Sequence, residues 1–245
     1  MKRILIPTKD GSDWQSLLAK PVLHWQKGFS AMTAAASWEA AAGELPPEIL
    51  ALLDSSRTDV LTNLKLLVAI PEWETELEGG ITPSKTDVLA ICRNDLGLCV
   101  VAVEAKVNED FGPLVEAKRN EASTGQSDRL DSLQRLLGMA SFSGSIRYQL
   151  LHRTASALLT AKQFHADTAV MLIQSFGNKA NLRADFDNFG QSLNAQRIGS
   201  NIYSVTGKDS PKLFLAWCQG DSKFLEVKLP SAREFSETRE DFRSE

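Results

Sequence analysis

Two charged side chains sit inside an otherwise apolar run, Leu98-Cys-Val-Val-Ala-Val-Glu-Ala-Lys-Val107. The run reads as a strand. Residues two apart on a strand point to one face, so Glu104 and Lys106 point together. A second apolar run, Asp87-Val-Leu-Ala-Ile-Cys92, lies just upstream and opens on a carboxylate. The turn Arg93-Asn-Asp-Leu-Gly97 joins the two as a hairpin. Burying a charge without a partner is expensive. A chain with this pattern must pair these charges with one another or use them in chemistry.

The rest of the chain supplies the frame. A short strand, a helix near residues 12–19 and a loop are expected first. Ser30 reads as the N-cap of an alanine-rich helix ended by Gly43, and Pro46-Pro47 opens a short helix through Leu53. Leu64 to Ile70 is strand-like and continues past Pro71 to Leu77, giving a three-strand meander with the hairpin. Residues 108–125 read as polar and irregular. Leu130, Leu133, Leu136 and Leu137 mark an amphipathic helix, and a longer helix runs from Ile146 to Phe164. Thr168 to Ser175 reads as a buried strand, and Phe186, Phe189 and Leu193 as a helix. Strands near 202–205, 212–217 and 224–229 close the chain. The order implies an α/β fold, a mixed central sheet flanked by helices. We read 1–245 as a single domain with an N-terminal helical extension and additional C-terminal strands.

Composition narrows the classes. The 245 residues are 43% hydrophobic and 24% charged, enough for a sizeable core. No apolar run approaches a membrane span, and Met1 to Pro7 lacks a signal-peptide core, so no membrane partner and a cytoplasmic location are expected. The three cysteines, Cys92, Cys99 and Cys218, form neither a disulfide framework nor a zinc spacing. A net charge of −4 argues against non-specific coating of nucleic acid, though not against a local basic groove. No Gly-x-Ser-x-Gly elbow supports a serine nucleophile.

An aspartate followed by Glu-x-Lys on the next strand suits divalent-metal chemistry. Magnesium takes hard oxygen ligands and keeps several waters. Asp87, Glu104 and the carbonyl of Ala105 could hold it. Lys106 would then contact the attacking water and the phosphate, losing its proton or orienting hydroxide. The bland alternative is a Glu104–Lys106 ion pair at a sheet edge, with Asp87 merely starting a strand.

Asp87 and Glu104-Ala-Lys106, in the order helix, three-strand meander, helix, strand, resemble the PD-(D/E)XK phosphodiesterase superfamily. The chain departs from its pattern at Thr86, where a proline is usual; Pro83 lies three residues earlier. The resemblance implies a restriction-endonuclease-like core (αβββαβ) and a metal-dependent nuclease using Mg2+ or Mn2+, with nucleic acid, DNA foremost, as partner. Products would carry 5′-phosphate and 3′-hydroxyl ends. It also implies an acidic residue on the first helix, a place Glu39 fills, and a glutamine with an aromatic on the helix after the Glu-x-Lys strand. Gln149 is the site member expected there. More broadly, residues 30–220 look like an uncharacterised bacterial family thought to have this fold. Gly79 to Asp87, Val101 to Gly112 and Arg147-Tyr-Gln-Leu-Leu-His-Arg153 carry that likeness. A nuclease-like scaffold used only for binding stays open beside the enzyme.

Secondary candidates have ordinary explanations. On the predicted helix, Gln149 and Arg153 share a face, as do Tyr148 and His152. His165-Ala-Asp167 and Asp185-Phe-Asp187 could ligate an ion, but a helix end and a helix cap explain them better. Glu109 and Asp110 fit a solvated loop. Lys118, Arg119, Arg129 and Arg135 could form a basic wall or balance nearby acids.

Overall fold

The computed structural model describes residues 11–79, 82–120, 124–207 and 211–231. The strand expected before residue 10 and the tail beyond 231 lie outside them. Four helices come first: α1 (Gly11–Gln15), α2 (Pro21–His24), α3 (Ser30–Ala40) and α4 (Pro47–Asp54). The meander follows as β1 (Lys65–Thr75), β2 (Ser84–Asn94) and β3 (Gly97–Lys106). Then come α5 (Val115–Asn120), α6 (Thr124–Leu137), α7 (Tyr148–Gln163), β4 (Thr168–Ser175) and α8 (Ala180–Ser192). Three strands close the sheet: β5 (Gln196–Arg197), β6 (Ile202–Val205) and β7 (Lys212–Gln219).

The protein is α/β, with one open seven-stranded mixed sheet in the order β1-β2-β3-β4-β7-β6-β5. β3 pairs with β4, and β4 with β7, in parallel; the other pairings are antiparallel. The central strands are buried on both faces, which explains their unbroken apolar runs. One face packs on α6, α7 and α8 through Leu89, Val100, Leu151, Met171 and Phe186. The other packs on α3 and α4 through Trp38, Ile49, Val101 and Leu172. All three cysteines are buried and unbridged. Burial pushes the Cys92 thiol up to about 12, so it behaves as a small hydrophobe.

Two expectations need correction. The segment near 224–229 is not a strand; Ser222–Glu226 is a short 3-10 helix. β7, the strand just before it, already has β4 on one side and β6 on the other and offers it no edge. Phe224 instead packs against Ala34, Ala36 and Phe176. Within 108–125, α5 forms although little apolar pattern announces it. Its first turn is tied down by Val115, whose N–H donates to the carbonyl of Ile146 (2.8 Å).

Candidate active site

The site arises where two paired strands part. The β2–β3 ladder runs from Asn94 opposite Gly97 to Val88 opposite Val103 and stops there. The next two residues in that register are Asp87 and Glu104. Asp87 Oδ2 instead accepts the Ala105 N–H (2.8 Å), so a side chain replaces a ladder carbonyl. The Lys106 carbonyl accepts from Phe176 N (2.8 Å) on the β4 side. Alternation along the strand therefore turns the Ala105 carbonyl toward β2. Gly177 is needed behind this point, because a Cβ there would lie 2.0 Å from the Val107 carbonyl.

Glu104 is the hub, only 3% exposed. Its Oε1 accepts from Gln149 Nε2 (2.6 Å) and from Lys106 Nζ (2.8 Å). Its Oε2 accepts a short bond from Arg153 Nε. Burial alone would raise the Glu104 carboxyl. The charges of Arg153 and Lys106, with their hydrogen bonds, overcome that and hold it at about 2. Lys106 obeys the same contest with the opposite sign. Burial favours its neutral form, but Glu104 and Asp87 win and raise it, so Lys106 stands as an ammonium. Of its two expected roles, orienting a nucleophile fits this environment better than shedding a proton.

A polar chain extends the hub. Arg153 Nη1 donates to Ser84 Oγ (3.0 Å), and Ser84 Oγ lies 2.9 Å from His152 Nδ1. Arginine can only donate, so Ser84 Oγ accepts from Arg153. Burial and the neighbouring Arg153 push His152 down to about 3, so its ring is neutral.

Glu72 is the carboxylate that the sequence reading missed. On β1, Pro71 pairs with Val88 and Trp73 with Thr86, which sets Glu72 opposite Asp87. Glu72, Asp87 and Glu104 thus stand in one row across three adjacent strands. Glu72 has φ +51°, a left-handed conformation that is rare in a strand. The inward face changes there. Val68 and Ile70 face the α7 side before it, while Trp73 packs there and Thr75 Oγ1 meets Thr160 Oγ1 (3.2 Å) after it. Burial is the main cause that lifts Glu72 to about 7, helped by Glu104. Asp87 also stands well above its ordinary value, first from burial and then from repulsion by Glu104. A lone Glu after a proline gives no pattern for this; the irregularity appears only in the paired strands.

Not every expected residue joins the cluster. Glu39 lies on α3, which packs on the other face of the sheet, and accepts from Trp14 Nε1 (2.6 Å). A helix on that side cannot bring its carboxylate to the face that Glu104 occupies. Asp185 is inside α8 rather than capping it, and accepts from Arg147 Nε (2.8 Å). Asp187 pairs with Arg183 (3.0 Å), and Asp110 with Lys179 (2.7 Å). His165 takes a left-handed turn just after α7. Arg135 contacts Glu78, and Arg119 the carbonyl of Phe142. Lys118 and Arg129 stay near α7: Lys118 Nζ lies 5.9 Å from the Tyr148 ring centroid, and burial raises the Tyr148 hydroxyl against the opposing charge and hydrogen bond of Arg129.

Among the described residues, no group of three or more His, Cys, Asp and Glu side chains could hold a metal ion. Asp87 and Glu104 repel each other there, beside the Ala105 carbonyl. Glu104 uses three of the roughly four lone-pair positions of a carboxylate, so it retains capacity for one more partner.

The fold and site define an α/β protein with a buried, acid-rich cluster where β2 and β3 separate. By sequence the chain belongs to DUF6946, described as a domain of unknown function, whose family model matches residues 7–222. No curated protein and no solved structure matches it. No helix among the described residues is long and apolar enough to cross a membrane.

Proposed function

We propose that this protein is a metal-dependent nuclease that hydrolyses phosphodiester bonds on a restriction-endonuclease-like core. One observation carries the reading: Asp87, Glu104 and the Ala105 backbone meet at the single point where β2 leaves β3, with Lys106 on the Glu104 carboxylate. Asp87, Glu104 and the Ala105 carbonyl would hold Mg2+ or Mn2+. A bound divalent cation would lower the pKa of water and neutralise charge on a phosphoryl oxygen.

The chain's own residues do the rest. Lys106, kept as an ammonium, donates to the incoming water or to a phosphoryl oxygen, stabilising charge as it develops. Gln149 fixes the rotamer of Glu104 through Oε1. Lys118 and Arg129, at the N-terminal end of α7, suit the phosphate backbone of a nucleic acid such as DNA. The test is a cleavage screen on single- and double-stranded DNA and RNA with Mg2+ or Mn2+. Lys106→Ala should abolish cleavage while retaining metal binding by calorimetry. Undiminished cleavage by that variant would overturn the mechanism.

A non-catalytic binding protein on the same scaffold is favoured by one feature, the Arg153 guanidinium already bonded to Glu104. Failure to bind millimolar Mn2+ with the fold intact would select this second reading.

A further inference from the structure

A cavity of about 420 Å3 lies at the turn of the β2–β3 hairpin, the end of the sheet away from Glu104. The turn and the first residues of β4 and β7 line it. We propose that it binds a free α-amino acid with an aliphatic side chain, a role independent of the nuclease reading. Thr168 and Lys212 are register partners on the parallel strands β4 and β7, so their side chains share one face of the sheet. Thr168 is 3% exposed and lines the cavity, yet its hydroxyl has no hydrogen-bond partner among the described residues. Buried polar groups are normally satisfied, so this hydroxyl is free for a ligand.

Two opposite charges line the same space. Neither the Lys212 ammonium nor the Asp167 carboxylate is in an ion pair among the described residues. Gly97 makes room for the carboxylate: a Cβ there would lie 3.1 Å from Asp167 Oδ2, and its φ of +136° favours glycine. The wall beside them is fixed. Asn94 Nδ2 donates to the carbonyls of Asp59 and Thr62 (both 2.9 Å), and its Oδ1 accepts the Leu96 N–H (2.9 Å). A cavity of this size with a built wall and a few polar groups is the usual form of a small-molecule site.

Opposite charges that share a cavity without pairing leave space for a ligand that carries both. Lys212 and Thr168 donate to its α-carboxylate, and Asp167 accepts from its α-ammonium. Val60, Leu96 and Leu98 form the apolar side, and Leu96, 59% exposed, offers area for an aliphatic side chain to cover. A phosphate ester fits poorly, because a single lysine would face it while Asp167 repelled it. No aromatic ring lines the cavity among the described residues, which leaves a nucleobase without a stacking surface.

Calorimetry with L-leucine tests the assignment. The wild type should bind it saturably. Lys212→Met and Asp167→Asn should each weaken binding by roughly ten- to a hundredfold, the loss of one charge-assisted hydrogen bond. Both side chains are exposed, so both variants should keep the fold. Isocaproate, which lacks the ammonium, should bind more weakly than leucine, and Asp167→Asn should leave its binding undiminished. Glycine, without the side chain, should also bind more weakly. No binding of millimolar L-leucine to the wild type would overturn the proposal. So would undiminished leucine binding by Lys212→Met, or isocaproate binding as tightly as leucine.

Discussion

Two buried polar clusters lie back to back on the central sheet. On the α7 face, Glu104 gathers Gln149, Lys106 and Arg153, with Asp87 and Glu72 beside it. On the α3 face, Gln174 gathers Trp38, Ser37 and Glu48. Trp38 Nε1 donates to Gln174 Oε1 (3.1 Å), while Gln174 Nε2 donates to Ser37 Oγ (3.2 Å) and Glu48 Oε1 (3.1 Å). The two are neighbours, since Gln174 pairs with Ala105, between Glu104 and Lys106. The Gln174 cluster is built on a neutral amide whose donors and acceptor are satisfied locally. It pins α3 and α4 to the sheet, and its one carboxylate, Glu48, is held by neutral donors. The Glu104 cluster carries opposed charges and carboxylates with displaced pKa values, the arrangement that tends to mark functional sites. Polar burial alone does not distinguish them; the buried ion pairs of Glu104 with Lys106 and Arg153 do.

The comparison can be broken most forcefully at its hub. Glu104→Ala strands Lys106 and Arg153 in the interior and should cost about 3–5 kcal/mol in urea unfolding. A loss below about 1 kcal/mol would mean that Asp87 and Glu72 already neutralise both cations. On the other face, Gln174→Leu should cost about 1–3 kcal/mol, because it orphans the Trp38 indole N–H and removes donors from Ser37 and Glu48. Its Mn2+ affinity, by calorimetry, should equal that of the wild type. A change there would show that the two faces are coupled.

Glu72 should give the smallest effect and the most diagnostic one. Its ordinary value of 4.5 rises to about 7 on folding, so the folded state holds its proton longer than the unfolded chain. Ionising it therefore removes stability progressively as pH climbs from about 4.5 to about 7, with the full cost present above that. Glu72→Gln should match the wild type near pH 4 and exceed it near pH 8, by about 1–2 kcal/mol after allowance for solvent screening. Urea midpoints at the two pH values check this, and parallel curves would show that Glu72 is not desolvated. Glu104 has the opposite sign. Its depressed value contributes stability above about 4.5 that is lost as pH falls toward 2.

The reach of sequence reasoning differs between these residues for physical reasons. Glu104 and Lys106 were legible because period-two alternation fixes a shared face once the strand is recognised. Gln149 and Arg153 were legible as one helix face because i and i+4 are neighbours, and both indeed meet Glu104. Glu39 was misplaced because a helix in sequence does not declare which side of a sheet it will cover. The segment near 224–229 misled because strand-like composition cannot show whether a sheet edge remains free.

The sequence by itself determined the central strands, the α/β class and the local pairing of Glu104 with Lys106. These follow from short-range geometry, which repeats every two residues on a strand and every three or four on a helix. Only the tertiary structure decided that β2 and β3 part at Asp87, that Glu72 twists into the same row, and that Arg153 arrives to hold Glu104. Those outcomes depend on how distant segments share one crowded space. Desolvation and charge act through that space and take no account of separation along the chain.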